Sequence, residues 1–540
     1  MIKKTLLYIA ISGILTANAQ QQRPKLVVGI VVDQMKMEYL YRFDNDFSEN
    51  GFKRMTQNGF VFHNTHLNYV PTYTAPGHTS IYTGTTPSVH GIVGNEWYSK
   101  KLGKDIYCTD DASVKLIGTG TEKEGAMSPK KLQTTTITDE LRLATNFEGK
   151  VIGMSLKDRG AILPAGHFAN WAFWYSKTGS FISSTFYGEK LPDWVTSFNN
   201  EKHYLPYILG GWNLLKPIET YNESLTDNNP YEGKLYGCAT PTLPYNLKEM
   251  YDKNDAGVIR AVPFGNNLLA DFAKLAIEKE SLGKDNITDF LTVSFSSPDY
   301  IGHTIGPRSI ELQDTYLRLD ETIADFLTYL DNNVGKDNYI VFLTADHAGA
   351  ENANFLKDKK YAVKNVEPKE IFENLKKYST DTFGENIISD YSNFNLFLNI
   401  PLIKSKGLDL KIIKQSFKDF LLTQEYVKNV YTEEEIVASN GSDYYLDLIK
   451  NGYDASENGQ IIILDKPGYM EYKETGTTHG TPYNYDTHIP LIFYGWNIPK
   501  GASHDRKTVT QIAPTLAQKI KVEFPNGSTT SVLTEILDNK

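Results

Sequence analysis

Five short runs of β-branched and aliphatic residues, each closed by polar ones, constrain this chain most: 25–32, 151–155, 290–296, 339–344 and 489–494. A run without polar alternation is buried on both faces, as interior strands of a parallel sheet are. Between the runs lie helical patterns, clearest from Ile310 to Leu330, where Ile310, Leu317, Ile323, Phe326, Leu327 and Leu330 fall largely on one side. Strands alternating with helices predict an α/β fold, a doubly wound and mostly parallel sheet flanked by helices. Such sheets bind ligands beyond the carboxyl ends of their strands, so the residues just after each run carry the functional reading.

Those residues share one chemistry. Asp33 follows Val31-Val32, Asp299 and His303 follow the run at 290–296, and Asp346-His347 follow the run at 339–344. His479, in Thr477-Thr478-His479-Gly480, shortly precedes the run at 489–494. Oxygen and nitrogen donors without sulfur suit zinc in an open catalytic site. Three carboxylates and three imidazoles are too many for one such ion, so two Zn2+ about 4 Å apart are the economical reading. A single Asp after a strand is often only a helix cap; the joint occurrence argues for chemistry. His63, His66, His167, His203, His488 and His504 lack this placement and read as structural.

Two further segments complete the candidate site. In Pro71-Thr72-Tyr73-Thr74-Ala75-Pro76-Gly77-His78, the Pro-Gly pair allows Thr74 to stand at a sharp turn entering a helix, where backbone N–H groups favour an anion. Thr74 is the candidate nucleophile, and its hydroxyl needs a base or a metal to become reactive at neutral pH. In Ser155-Leu156-Lys157-Asp158-Arg159-Gly160, Lys157 and Arg159 can converge on a phosphoryl group, one as a point charge and one as a fork. Asn95, in His90-Gly91-Ile92-Val93-Gly94-Asn95, is a neutral donor for the same group or a turn residue.

Composition excludes some classes of function. With 55 basic and 65 acidic residues the formal charge is −10, which argues against nucleic-acid binding. At 40% hydrophobic and 12% aromatic residues, the chain is globular rather than disordered. Lys3 and Lys4, an apolar run from Thr5 to about Leu15 and Ala17-Asn18-Ala19 read as a signal peptide over residues 1–19. That run is too short to span a bilayer, and no later stretch approaches the roughly 20 apolar residues needed. A periplasmic or secreted protein without a membrane anchor is expected. Residues 20–540 then read as a single catalytic domain with insertions at about 168–262 and 352–472. Cys108 and Cys238 are the two cysteines, able to pair in an oxidising compartment.

The motifs Thr72-x-Thr74-Ala75-Pro76-Gly77-His78 and Thr83-Gly84-x-x-Pro87-x-x-His90-Gly91-Ile92-x-x-Asn95 resemble the nucleophile segment of the alkaline phosphatase superfamily. The chain is most similar to its phosphate-insensitive, PafA-type bacterial members and more distantly to the nucleotide pyrophosphatase/phosphodiesterases. The resemblance implies one zinc on Asp299, His303 and His479 and a second on Asp33, Asp346 and His347. It further implies a phosphothreonine at Thr74, on the second zinc, and phosphoryl contacts from Asn95, Lys157 and Arg159. The implied function is zinc-dependent hydrolysis of small phosphate monoesters by a monomer. Two cations suit a dianionic monoester better than a diester, which presents an esterified oxygen there. A nucleotide pyrophosphatase/phosphodiesterase with the same bimetallic Thr site is the alternative, and Trp171 to Tyr175 is the candidate pocket for its second ester group. A sulfatase is excluded by the absence of Cys or Ser at position 74, and an exported binding protein would leave the nucleophile, metal and cation set unexplained.

Overall fold

A computed structural model describes residues 23–537; the signal-peptide reading at 1–19 lies outside the described residues. The core is a ten-stranded sheet. Its central strands are β1 (Leu26–Val32), β2 (Val151–Ser155), β3 (Trp171–Tyr175), β4 (Asp289–Phe295), β5 (Tyr339–Thr344) and β6 (Leu491–Gly495). Their spatial order is β6-β5-β1-β4-β2-β3. Every residue of β1, β2, β4 and β5 is buried, as strands with a helical layer on each face must be.

Registers set the height of the strand ends. Val32 pairs with Phe295, Ser294 with Ser155 and Val31 with Thr344, all in parallel. Four strands therefore finish level at one rim, and the chain leaves each of them there. The helices α1 (Thr74–Thr83), α2 (Asp158–Ala165), α3 (Ser297–Thr304) and α4 (Ile310–Leu330) bring side chains to that rim or cover the sheet.

Three expectations need correction. The run at 489–494 is not a parallel strand: β6 pairs antiparallel with β5, Phe493 opposite Phe342, because an uninterrupted apolar run encodes burial and not direction. The segment read as beginning an insertion at 168 supplies β3 to the central sheet, parallel to β2. Phe173, Trp174 and Tyr175 are therefore core residues, not walls of an ester pocket. Cys108 and Cys238, whose pairing the sequence leaves open, are free thiols. The stretch read as a second insertion, 352–472, holds a four-stranded antiparallel sheet of Ile388–Ser392, Asn395–Leu398, Ile461–Asp465 and Val427–Thr432. Its own core includes Ile371, Leu375, Phe417, Leu421 and Ile463.

Candidate active site

The level strand ends gather residues far apart in sequence. Asp33 leaves β1, Lys157 leaves β2, Asp299 lies in the first turn of α3 after β4, and Asp346-His347 follow β5. Thr74 opens α1 after an extended Tyr73 and is buried. Helix α1 approaches the β5 exit closely: a Cβ on Gly77 would lie 2.2 Å from the Asp346 carbonyl oxygen. Only glycine permits that approach, which seats Thr74 against His347.

Around His347, three oxygens converge on one nitrogen. Nε2 lies 3.4 Å from Asp33 Oδ1, 3.6 Å from Asp346 Oδ2 and 3.5 Å from Thr74 Oγ1. His347 donates its Nδ1–H to the Ala348 carbonyl at 2.9 Å, so Nε2 carries a lone pair. Asp33 Oδ1 and Asp346 Oδ2 are buried and have no hydrogen-bond partner, which is costly unless a cation compensates them.

A second group stands beside it. His303 and His479 donate their Nδ1–H groups to the carbonyls of Thr477 and Thr72, at 2.8 and 2.7 Å. Their Nε2 atoms face each other at 3.2 Å, with Asp299 Oδ1 at 3.1 Å from His303 and 3.8 Å from His479. Two lone pairs and a carboxylate oxygen so disposed repel one another unless a metal ion lies among them, and the donor set fits a divalent cation. Among the described residues, two groups of three bring their ligand atoms within 4.8 Å of one another: Asp299, His303 and His479, and Asp33, Asp299 and His347. The second differs from the expected set by Asp299 for Asp346. Asp346 Oδ1 accepts instead from the backbone N–H groups of Gln34 and His347, at 3.3 and 3.0 Å.

Lys157 joins the two groups, donating from Nζ to Asp33 Oδ2 and Asp299 Oδ2, both at 2.6 Å. Burial disfavours its charge, but Asp299 and Asp33 outweigh that and hold its pKa above the usual lysine range. Burial, then the charges of Asp299 and Asp346, push the Asp33 carboxyl well up. Burial, with His347 and His303 alongside, drives His479 well below the ordinary imidazole value. With all three carboxylates ionised, as metal ligands must be, one ammonium would leave two negative charges uncompensated.

The remaining expected residues stand at the edge. Asn95 Oδ1 accepts from the Ala75 backbone N–H at 2.8 Å, tying it to the start of α1. Arg159 is not paired with the carboxylates; its Nη1 donates to Tyr107 Oη at 2.8 Å, and Tyr107 donates to Asp158 at 2.9 Å. Two positioning residues escaped the sequence reading. Gln34, in left-handed backbone at φ 64°, donates from Nε2 to Asp299 Oδ1 at 2.7 Å. His78 lies 3.2 Å from Asp346 Oδ2 and contacts the Thr74 carbonyl and Ser294 Oγ at 2.9 and 2.8 Å. Gln34 carries no signal of its own, whereas His78 falls one helical turn after Thr74 and was legible as sharing its face.

Fold and site together define a metal-dependent hydrolase, and the chain belongs to the type I phosphodiesterase / nucleotide pyrophosphatase family, matched over residues 27–488. It is 45% identical to alkaline phosphatase PafA of Elizabethkingia meningoseptica, covering 99% of each chain. It is 44% identical to alkaline phosphatase PhoV of Synechococcus elongatus, covering 95% of this chain and 93% of that one. The wild-type PafA crystal structure superposes with a TM-score of 0.93 over 96% of this chain and 99% of the other. A variant of that enzyme, also solved, is substituted at a threonine, an asparagine, a lysine and an arginine spaced as Thr74, Asn95, Lys157 and Arg159 are here.

Proposed function

We propose that this chain is an exported zinc-dependent phosphomonoesterase that hydrolyses small phosphate monoesters through a phosphothreonine at Thr74. The observation that carries this reading is the convergence of Thr74 Oγ1, Asp33 and Asp346 on His347 Nε2, beside the Asp299, His303 and His479 group, with Lys157 bridging both. Two zinc ions would be held, one by Asp299, His303 and His479 and one by Asp33, Asp346 and His347. When bound, they supply Lewis acidity toward the attacking and leaving oxygens. With both ions bound, the two negative charges left by Asp33, Asp299, Asp346 and Lys157 would become a net positive site that a phosphate dianion neutralises.

The chain's own groups position the reaction. Thr74 Oγ1 gives up its hydroxyl proton to solvent and bonds to phosphorus in line as the ester P–O bond breaks, and the leaving alkoxide takes a proton from solvent. Water then attacks phosphothreonine, restoring the Thr74 hydroxyl and releasing inorganic phosphate. Lys157, Arg159 and the Asn95 amide offset the non-bridging oxygens, so little beyond positioning and charge neutralisation is asked of the protein. The mature protein, 20–540, acts as one catalytic domain and as a monomer outside the cytoplasm. No helix of the described residues is long and apolar enough to cross a membrane.

Arg159 is the observation that favours a phosphodiesterase instead, since Tyr107 holds its guanidinium. Comparing kcat/KM for an aryl phosphate monoester and the matching bis-aryl diester, on zinc-reconstituted and chelated protein, separates the two. Monoester preference that disappears on chelation and falls about a hundredfold or more in Lys157→Ala is expected, with phosphate trapped on Thr74 by mass spectrometry. Diester preference overturns the reading.

A further inference from the structure

Beside His479 lies a cavity of about 280 Å³ that none of the chemistry above uses. Tyr73 and Tyr485 of the catalytic body line it, facing Tyr391, Phe394 and Tyr469 of the 352–472 lobe. It borders the candidate site at Tyr73, the neighbour of the nucleophile, and at His479 itself. Thr74 lies against His347, so in-line displacement puts the leaving oxygen on the far side of phosphorus, toward the Asp299, His303 and His479 group, and the organic part of a substrate would project from there.

The cavity's polar groups have one sign. Glu471 and Asp486 line it, and no lysine or arginine does. Tyr391 donates to Glu471 Oε1. Asp486 is fully buried; its Oδ2 accepts from Thr481 N and Oγ1, while Oδ1 has no hydrogen-bond partner. Behind the wall, buried Asp465 keeps both carboxylate oxygens without a partner. Burial pushes the Glu471 and Asp486 carboxyls up to about 7; a cationic nitrogen bound beside them would favour their ionised forms and be stabilised by the rings, whereas a phosphate would oppose that ionisation.

We propose that this cavity is the leaving-group subsite and selects monoesters of alcohols bearing a cationic nitrogen, a quaternary or primary ammonium, with Glu471 as the counter-charge. The aromatic walls contact the ammonium substituents, and Glu471 supplies specificity against neutral alcohols of the same shape. This inference rests on the phosphomonoesterase reading for its catalytic part, but the cavity's affinity for an ammonium group does not.

The test pairs choline phosphate with 3,3-dimethylbutyl phosphate, its uncharged carbon isostere. Zinc-reconstituted enzyme should show kcat/KM about tenfold or more higher for the cationic ester, and Glu471→Gln should collapse that ratio toward one. In parallel, calorimetry with choline chloride on the chelated protein should show binding that 3,3-dimethylbutanol does not match and that Glu471→Gln weakens. Turnover of both esters at equal kcat/KM, or an unchanged ratio in Glu471→Gln, overturns the subsite. Choline binding without turnover of any monoester supports the subsite and overturns the phosphomonoesterase reading instead.

Discussion

Asp346 shows how a residue outside the ligand set governs one inside it. Its Oδ1 is spent on the Gln34 and His347 N–H groups, and His78 faces Oδ2 from α1 while also touching the Thr74 carbonyl. Partners of this kind orient metal ligands, and their loss costs roughly 10–100-fold in metal affinity. His78→Gln should weaken zinc binding by that order in a competition titration with a chelator; unchanged affinity would reduce His78 to a packing residue. A second residue-scale effect is electrostatic and lies away from the site. Burial, with Glu311 close by, raises the Glu232 carboxyl from 4.5 to about 8. An acid whose folded pKa is raised contributes stability below its unfolded pKa and loses it as pH rises through the folded one. Stability should therefore fall between about pH 4.5 and 8 on this account, and Glu232→Gln should flatten that slope in urea titrations across the range. Equal slopes in both proteins would refute the assignment.

At the scale of elements, the site is a consequence of register. Because β1, β2, β4 and β5 end level, a slip of one residue would displace a ligand by about 3.3 Å, enough to dissolve the geometry around His347. Gly29, in the middle of β1, holds that packing: a Cβ there would meet Tyr82 Oη at 2.3 Å and the Phe342 ring at 2.6 Å. Gly29→Ala should destabilise by about 1–3 kcal/mol, read as a lower urea midpoint at unchanged m-value. Gly77→Ala acts instead on the gap between α1 and Asp346; it should lower kcat against an aryl phosphate more than it lowers the melting temperature. The same elements mark the reach of sequence reading. Val151–Ser155, Tyr339–Thr344 and Ile310–Leu330 are found at their expected bounds, since buried runs and a 3.6-residue period are local signals. The direction of β6 and the membership of β3 in the central sheet were not legible, because pairing partners are chosen by contacts between distant segments.

For the molecule as a whole, folding gathers more negative charge than it compensates. Asp33, Asp299 and Asp346 are buried together, with Lys157 paired to the first two, so folding and metal binding are thermodynamically linked. Chelation should lower the melting temperature, and zinc at about a thousandfold over its Kd should restore roughly 4 kcal/mol for each independent site; a melting temperature indifferent to zinc would sink the metal assignment. The sequence by itself determined the α/β class and the residue types delivered to the rim. Strand burial and helical periodicity are written in nearest neighbours, and ligands follow strands directly. Only the tertiary structure decided which oxygen of each carboxylate stays unpartnered, that Lys157 spans both groups while Arg159 is held by Tyr107, and that an acidic, aromatic cavity closes against His479 from a separate lobe. Those features depend on registers and side-chain rotamers fixed by packing between segments hundreds of residues apart, for which a linear pattern carries no signal.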